Sequence, residues 1–254
     1  VCSSDLFGEA PNGLADDPLG ESDDGSGGLQ VVRGHGTNLP SDLPKEPGRC
    51  GTTRPGGQTG PMRVCVYCGS SKGPEEFQAL AASLGAEMAR RGIGLVYGGG
   101  DVGLMGIIAD SVLAGGGEVI GVIPEAMIPL EVAHQGLNRL IVVDSMHTRK
   151  FQMAELSDAF IALPGGFGTL DEIFEILSWN QLGYITKPAV FLDTEGFWDP
   201  MFAQIDVMSD AGLLRPKHRG LAQRARTVAE ALDLCAAAPP PTESKKDRKS
   251  TRLN

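Results

Sequence analysis

The stretch LPGGFGTLDE, residues 163–172, separates a short apolar run from a longer amphipathic one. We interpret it as the turn between a buried strand and a helix. Its three glycines leave the backbone N–H groups at the helix start uncovered: Gly165, Gly166 and Gly168. These groups and the helix dipole attract an anion. Thr169 adds a hydroxyl and Glu172 a carboxylate at the same mouth, so the stretch predicts a site that holds a phosphorylated substrate and acts on it.

Length and charge limit the class of protein. The chain has 254 residues and a formal net charge of −10, which suits one α/β domain with appendages. The negative charge argues against nonspecific binding to nucleic acid or to acidic membranes. The sequence has neither an apolar run of membrane-spanning length nor the basic-then-apolar order of a signal peptide. We therefore expect a soluble, cytoplasmic protein that binds neither nucleic acid nor membrane.

The two ends differ in composition from the rest. Residues 1–61 are rich in Gly, Pro, Asp and Ser, and residues 239–254 are a proline run followed by a basic, polar tail. Neither segment shows apolar periodicity, so we expect both to be disordered around a single domain at residues 62–238.

The extreme ends also share an origin by our interpretation. Residues 247–252 and residues 1–6 can be encoded by one oligonucleotide read on opposite strands, which is typical of sequencing-adapter read-through. We therefore expect both tips to be artefactual, and residues 7–61 to be translated upstream sequence, because Met62 directly precedes the first predicted strand. A genuine disordered extension is the alternative.

Between these ends, apolar and amphipathic runs alternate. The predicted strands are residues 63–67, 93–97, 118–123, 139–143, 159–163 and 189–192. The predicted helices are residues 74–91, 104–114, 146–156, 170–182, 198–211 and 228–237. Residues 124–137 read as an irregular loop over the sheet edge or the active-site face. Because the strands are apolar throughout, the pattern predicts a Rossmann-like, doubly wound α/β fold, a parallel sheet with helices on both faces.

A second glycine-rich turn lies at residues 98–103, GGGDVG, after a strand and before a helix. Its spacing is not G-x-G-x-x-G, and no acidic residue follows the next strand where a dinucleotide ribose would need it. We therefore expect no dinucleotide cofactor. Plain turn chemistry explains one such turn, but two in one sheet suit a single nucleotide lying across the carboxyl ends of neighbouring strands.

Charged residues cluster near the predicted turns. Arg149 and Lys150 lie near the start of a predicted helix and place two cations beside the predicted anion site. Cations there suit a phosphate or a developing negative charge. A solvated helix start is the alternative, although cations there oppose the dipole. Asp171 and Glu172 fall in the first turn of the predicted helix, where the dipole alone would favour them. Glu131 in the irregular loop would by default be a surface charge.

Cys65 and Cys68 form C-x-x-C inside and at the end of the first predicted strand. No second pair or His cluster completes a zinc site, and a redox C-x-x-C would open a helix. We interpret them as buried strand cysteines and expect no metal.

Two motifs together resemble the Lonely Guy (LOG) family, whose bacterial members are often labelled "possible lysine decarboxylase". They are PGGFGT-x-x-E at residues 164–172 and M-H-x-R-K at residues 146–150. Further agreement comes from CVYCGSS at 65–71, YGGGDVGLMG at 97–106, IPEAM at 123–127 and GLLRP at 212–216. The resemblance spans about residues 62–236, essentially the whole predicted domain.

The resemblance implies a cytokinin riboside 5′-monophosphate phosphoribohydrolase. Such an enzyme hydrolyses the N-glycosidic bond of a nucleoside 5′-monophosphate to free base and ribose 5-phosphate, without a cofactor, and is usually a homodimer. The match assigns catalytic roles to Arg149 and Glu172. It assigns substrate contacts to Gly69, Ser70, Glu131, Lys150, Gly165, Gly166, Phe167, Gly168, Thr169, Leu170 and Asp171.

The sequence departs from the family pattern at three places. Phe167 stands where Tyr or Gly is common, and Asp171 stands where Glu is common but keeps the charge. Pro129 and Leu130 precede Glu131 where plant members often carry Pro-Arg, and that loop partly frames the base.

The residues and the resemblance agree on the chemistry. Cleavage of an N-glycosidic bond passes through an oxocarbenium-like ribose, with negative charge growing on the departing base. Glu172 either stabilises the sugar cation or activates water, and Arg149 either anchors the phosphate or steadies the departing base. The sequence leaves both pairs of roles open.

Two other functions compete with this hypothesis. A pyridoxal-phosphate-dependent lysine decarboxylase needs a Schiff-base lysine, and none of the predicted domain's lysines stands in a recognisable cofactor motif. These are Lys72, Lys150, Lys187 and Lys217. A non-catalytic nucleotide-binding protein would keep the pocket but has no evident need for Glu172. For a homodimer, the candidate partner-facing residues are Trp179, Leu182 and Tyr184, for which core burial is the alternative.

Overall fold

The computed structural model describes residues 30–33 and 60–237. The strands are β1 (Gln30–Arg33), β2 (Arg63–Tyr67), β3 (Gly94–Tyr97), β4 (Val119–Pro124), β5 (Arg139–Val143), β6 (Ala159–Ala162), β7 (Ala189–Leu192) and β8 (Ala222–Ala225). The helices are α1 (Glu75–Arg90), α2 (Gly103–Ala114), α3 (Ile128–Glu131), α4 (Met146–Leu156), α5 (Phe167–Leu182), α6 (Asp199–Asp210), α7 (Pro216–Arg219) and α8 (Val228–Ala236). A 3-10 turn, Glu125–Met127, precedes α3.

The strands form one sheet in the order β1-β5-β4-β3-β2-β6-β7-β8, and every pair of neighbours is parallel. The chain winds outward from β2 to β5 and then returns to the other side of β2 to begin β6. The prediction of a doubly wound parallel sheet is confirmed. The direction of winding reverses between β2 and β6, and open α/β sheets bind ligands in the crevice outside the carboxyl ends of the strands at such a point.

The strand sequences explain why both faces of the sheet are covered. In β2, Val64 and Val66 belong to one apolar core, whereas Cys65 and Tyr67 belong to the other. This alternation follows from the two-residue period of a strand. Helices α1, α2 and α8 supply buried residues to the first core, and α4, α5 and α6 supply them to the second. Each face is therefore buried against helices, as apolar strands in a parallel sheet require.

Helices α1 and α2 cross closely at Gly85. A Cβ atom built on Gly85 would lie 2.7 Å from the Ser111 Cβ and 2.8 Å from the Ile108 carbonyl oxygen. Because one of these neighbours is backbone, it has little freedom to move away. A glycine in the middle of α1 therefore allows the two helices to pack in contact.

Three short elements differ from the sequence prediction. Strand β8 reads AQRA, and because its two central residues are polar it does not appear as an apolar run. Helix α7 is a single turn. Strand β1 lies within residues 1–61, so the prediction of disorder there is wrong for residues 30–33. Its two valines form too short a signal, and the parallel pairing with β5 supplies the backbone hydrogen bonds that define the strand. The remaining residues of 1–59 and 238–254 lie outside the described part.

No helix in the described ranges, 30–33 and 60–237, is both long and apolar enough to span a lipid bilayer.

The close α1–α2 contact predicts that Gly85→Ala destabilises the protein, although alanine normally favours a helix by about 1 kcal/mol. Overpacking at the crossing costs about 1–3 kcal/mol, so the free energy of unfolding in urea should fall. Gly220→Ala is the matched control, because a Cβ there meets no described atom within 4 Å. Equal or greater stability of Gly85→Ala would contradict this account of the packing.

Candidate active site

Three turns meet where the direction of winding of the sheet reverses, between β2 and β6. The turn after β2 contacts the turn after β6, with the Gly69 N–H donating to the Pro164 carbonyl at 3.2 Å. It also contacts the start of α2, where Leu104 N–H donates to the Gly69 carbonyl at 3.1 Å. A Cβ on Gly103 would lie 2.3 Å from the backbone of Ser70. The two glycine-rich turns predicted to form one nucleotide site therefore lie on either side of the turn after β2, and both contact it.

Helix α5 opens this crevice with its N-terminus. The helix begins at Phe167 with Gly166 at the N-cap, and no described side chain caps it. The N–H groups of a helix's first turn have no partner within the helix, so they are available to a ligand. A Cβ on Gly166 or Gly168 meets no described atom within 4 Å, and both glycines are exposed. This arrangement fits the predicted anion site.

The floor of the turn depends on Gly165. A Cβ there would lie 2.1 Å from the Thr169 hydroxyl oxygen, so only glycine allows Thr169 to pack under the turn. Thr169 is buried, Leu170 is half-buried and Phe167 is 92% exposed. Of these predicted contacts, Phe167 thus stands farthest into solvent at the rim of the crevice.

Glu172 lies in the second turn of α5, because the helix begins three residues earlier than residue 170. The expectation that Asp171 and Glu172 occupy the first turn is therefore wrong, and the first turn contains no acidic residue. Since the dipole effect falls off within the first turn, it explains the half-buried Glu172 less well than the sequence suggested. Because the first turn of α5 carries no acidic residue, its N–H groups can bind an anion. The carboxylate of Glu172 lies in the next turn of the helix.

The charges of Glu172 and Arg149 both affect the pKa of Cys65 in β2. Burial raises the pKa of Cys65, the Glu172 carboxylate raises it further, and the Arg149 guanidinium lowers it. Burial likewise raises the pKa of Tyr67, with Cys65 and Glu172 adding to the shift, and burial followed by Glu172 raises that of Cys68. These thiols are buried and free, as the interpretation of strand cysteines expected. The charge of Glu172 thus acts on residues in and directly after β2.

Arg149 of α4 is a buried cation held by backbone carbonyls. Its Nε donates to the Val122 carbonyl at 3.1 Å and its Nη2 to the Gly98 carbonyl at 3.0 Å, and it is only 4% exposed. Its Nη1 also lies 3.8 Å from the Met146 sulfur. A Cβ on Gly98 would lie 2.0 Å from Nη2. The first glycine of GGGDVG is therefore required by Arg149, a contact that the sequence alone did not reveal.

The start of α4 fixes the direction in which Arg149 points. The Ser145 hydroxyl accepts from Thr148 N–H at 3.2 Å, and the Thr148 hydroxyl donates to Asp144 at 2.6 Å. Such a cap satisfies an N–H group that the first turn leaves open. His147 is exposed on the same turn.

Lys150 ties α4 to α5. Its ammonium lies 3.1 Å from the Asp171 carboxylate and 3.2 Å from that of Glu175. Burial lowers the pKa of Lys150, but the hydrogen bonds with Asp171 and Glu175 outweigh it and the pKa is raised overall. The pair keeps the two helices that carry Arg149 and Glu172 in a fixed relation, so the substrate contacts predicted for Lys150 and Asp171 would be made from within this ion pair.

The segment 124–137 is more regular than predicted, with the 3-10 turn and α3 inside it. Glu131 is the last residue of α3, and its side chain and that of Leu130 lie outside the described part. Its predicted contact with substrate therefore stays a prediction. After α3 the chain turns back through Val132 and runs beside the turn that holds Arg149, forming an isolated antiparallel bridge between Gly100 and Ala133.

One group in the described part of the chain has the geometry of a metal site: Asp101, Asp110 and His134. The His134 Nδ1 accepts from Gly136 N–H at 3.0 Å, so this nitrogen carries no proton. A neutral imidazole has one N–H, which must then be on Nε2, 3.0 Å from the Asp110 carboxylate. That nitrogen donates to Asp110 and has no lone pair for a metal, so the group is a hydrogen-bonded unit.

Comparison with known proteins gives two kinds of similarity in sequence. Residues 105–235 match the family model described as "possible lysine decarboxylase". The cytokinin riboside 5′-monophosphate phosphoribohydrolase LOG of Oryza sativa subsp. japonica is 46% identical over 169 residues, covering 66% of this chain and 70% of that protein. LOG1 of Arabidopsis thaliana, with the same activity in its name, is 44% identical, covering 66% and 79%.

Solved structures show the same fold at lower identity. The molybdenum cofactor binding protein of Rippkaea orientalis has a TM-score of 0.55 and 19% identity, covering 70% of this chain and 96% of that one. The molybdenum cofactor carrier protein of Chlamydomonas reinhardtii has a TM-score of 0.53 and 24% identity, covering 68% and 94%. At these identities the likeness concerns the fold alone.

The close contact between the Arg149 guanidinium and Gly98 yields a prediction about stability. Gly98→Ala should expel the guanidinium from its carbonyl partners, and disrupting a buried charge in this way costs about 3 kcal/mol or more. In an Arg149→Ala background the same glycine substitution should cost less than about 1 kcal/mol, since the guanidinium is gone and the Met105 sulfur, 3.2 Å from a Cβ at Gly98, is the end of a flexible side chain. A double-mutant cycle of urea unfolding measures this difference. Equal costs in the two backgrounds would contradict the assigned contact.

Proposed function

The chain belongs to the LOG family, and we propose that it hydrolyses the N-glycosidic bond of a purine nucleoside 5′-monophosphate to free base and ribose 5-phosphate. The 46% identity with the rice enzyme supports this activity class. One structural observation supports it above others. The buried guanidinium of Arg149, at the carboxyl ends of β3 and β4, and the carboxylate of Glu172 in α5 both act on Cys65 of β2, and the first turn of α5 carries no acidic residue.

The proposed position of the substrate follows from the shape of the crevice. The 5′-phosphate would accept hydrogen bonds from the N–H groups that open α5, with Thr169 beneath them. The ribose and base would then extend along the carboxyl ends of β2 and β3, towards the Gly98 turn. This direction brings the anomeric carbon between the helix that carries Glu172 and the one that carries Arg149.

The reaction needs water and no further reactant. The oxygen of water bonds to the anomeric carbon while the bond from that carbon to the base nitrogen breaks. The electron pair goes to the base, which takes up a proton, and water loses one. As the ribose becomes positive, the nearby carboxylate of Glu172 would stabilise it or take the proton from water. The Arg149 guanidinium would bind the phosphate or the base as its charge becomes negative.

Rigid placement of these groups supports catalysis rather than binding alone. Arg149 is held by two carbonyl groups, and Lys150 joins the two helices through Asp171 and Glu175. Electrostatic stabilisation is strongest when charged groups are oriented before the reaction begins. Such fixed charges need no rearrangement when charge develops on the substrate.

The substrate range and assembly extend this proposal. The unmodified nucleotide AMP and N6-prenylated AMP both carry the purine and phosphate that the crevice would grip, and AMP hydrolysis is part of the proposed activity. We also propose a homodimer. Leu182 and Tyr184 are exposed near the end of α5, and Trp179 is half-buried beside them, so their apolar surface is available to a second subunit.

The lysine positions do not favour decarboxylation. The most buried described candidate, Lys187, donates from Nζ to the Ala154 carbonyl at 2.8 Å, and burial lowers its pKa. It precedes β7 and thus lies at the amino edge of the sheet, opposite the crevice. Lys150 is paired with carboxylates, and Lys72 and Lys217 are exposed.

Substitution of the two charged residues tests the mechanism. Glu172→Gln and Arg149→Ala should each lower kcat/KM for AMP about 100-fold or more, the range that general acid–base and electrostatic groups contribute. Circular dichroism should show a folded protein for both variants. Glu155→Gln near the end of α4 and Arg90→Ala at the end of α1 are matched controls with expected wild-type rates, because both side chains are exposed. A Glu172→Gln enzyme with the wild-type rate would remove Glu172 from the mechanism.

A product assay on the full chain tests the activity class. Chromatography should detect free base and ribose 5-phosphate from AMP and isopentenyladenosine monophosphate, with much slower turnover of CMP because the site is proposed to grip a purine. Binding of AMP without release of adenine would instead indicate a non-catalytic nucleotide-binding protein. An absorbance band of an internal aldimine after addition of pyridoxal phosphate would favour the decarboxylase.

A further inference from the structure

The segment after α3 is fastened to the turn that follows β3. His134 N–H donates to the Gly99 carbonyl at 3.0 Å, and Asp101 N–H donates to the Val132 carbonyl at 2.8 Å. These two bonds flank the antiparallel bridge of Gly100 with Ala133. Three consecutive residues of the segment thus lie along three consecutive residues of the turn.

The side chain of His134 anchors this contact from below. It is 6% exposed and both ring nitrogens are engaged. The Nδ1 atom accepts from Gly136 N–H at 3.0 Å, and Nε2 donates to the Asp110 carboxylate of α2 at 3.0 Å, with Asp101 at 4.0 Å. The ring therefore joins the segment to α2 and fixes where the segment ends.

The segment is held in a strained conformation. Val132 has φ 47° and ψ 90°, and it is the one non-glycine residue with positive φ in the described ranges. A β-branched residue strongly disfavours positive φ. Such strain persists only when surrounding contacts impose it, and it occurs often at functional sites. The backbone bridge of Gly100 with Ala133 and the hydrogen bonds of the His134 ring impose it.

The same turn holds Arg149. The Gly98 carbonyl accepts from Arg149 Nη2, and the next carbonyl along the chain, that of Gly99, accepts from His134 N–H. A shift of the turn therefore moves both the guanidinium and the end of α3. Gly121 allows the turn to lie flat on β4, since a Cβ there would be 2.7 Å from the Gly99 Cα.

We infer that His134 is a positioning residue for the nucleotide site. It holds the strained turn at Val132, sets the place of the preceding Glu131 at the end of α3, and keeps that segment in register with Arg149. This inference rests on the proposed function. The ring is buried and both nitrogens are used by protein groups, so His134 acts through the segment and does not touch the substrate.

Steady-state kinetics with AMP test the role. His134→Ala should raise KM about tenfold and lower kcat less than about threefold, because the segment contributes binding that is similar in ground and transition states. His134→Gln places an amide N–H near the position of Nε2, keeps the bond to Asp110, and should recover part of the lost affinity. Gln135→Ala is the matched control, because its exposed side chain donates within the segment, to the Ala133 carbonyl at 3.0 Å.

A second experiment, which measures protein stability, detects the strain at Val132 independently of enzyme activity. Val132→Gly permits positive φ at little cost. Removing His134 lets Val132 relax and recovers its strain energy, a recovery that is absent after Val132→Gly, so the stability lost on His134→Ala should be larger in the Val132→Gly background. Urea unfolding of the four proteins gives this coupling. If His134→Ala does not fold, His134→Gln replaces it in both experiments.

The outcomes are distinct. Reduced stability with unchanged KM and kcat in the His134 variants, or equal stability losses in the two Val132 backgrounds, would overturn the positioning role. Absence of turnover by the wild-type chain would overturn the proposed function instead, and the Val132 cycle would still report whether His134 holds the strained turn.

Discussion

The site depends on one buried cation. Arg149 places its guanidinium against carbonyl groups at the carboxyl ends of β3 and β4, at 3.0 and 3.1 Å, and almost out of solvent. Burying a charge is unfavourable unless hydrogen bonds compensate it, and two of the partners here are backbone carbonyls that no substitution can remove. The geometry requires the absence of a side chain at Gly98 and a helix that starts at a fixed residue, which the Ser145 cap provides. In the proposed function, this cation determines where a negative group of the substrate binds beside the sheet.

The crevice separates two electrostatic tasks. The start of α5 has uncapped N–H groups and no acidic residue in its first turn, so it favours an anion. Glu172 lies one turn later, beyond the strongest part of the dipole, and its charge acts on residues of β2. Lys150 joins α4 to α5 through two carboxylates, which holds the cationic and the acidic sides in one frame. A fold shared with molybdenum cofactor proteins acquires a particular chemistry from these residues, since the fold does not specify function.

Much of the architecture is predictable from local sequence. Apolar runs such as RVCVY in β2 and the glycine-rich turns identify the parallel sheet and the crevice, because strands and turns have local signals. Strand β8, AQRA, lacks such a signal, and β1 is defined by its pairing with β5. The start of α5 differs from the prediction because PGGFGT has the composition of a turn, although Phe167 and Gly168 already lie in the helix. The hydrogen bond of Arg149 with the Gly98 carbonyl and that of His134 with Asp110 join residues distant in sequence, so only the tertiary structure reveals them.

The central claim is that one nucleotide lies across this crevice with its phosphate at the start of α5 and its anomeric carbon between Arg149 and Glu172. A crystal structure of the Glu172→Gln variant with AMP tests it most directly. The account predicts phosphate oxygens within hydrogen-bond distance of the backbone N–H groups of residues 167–169, and the glycosidic bond facing the side chain at position 172. Density for AMP away from the carboxyl ends of β2 and β6, or with its adenine at the start of α5, would contradict it.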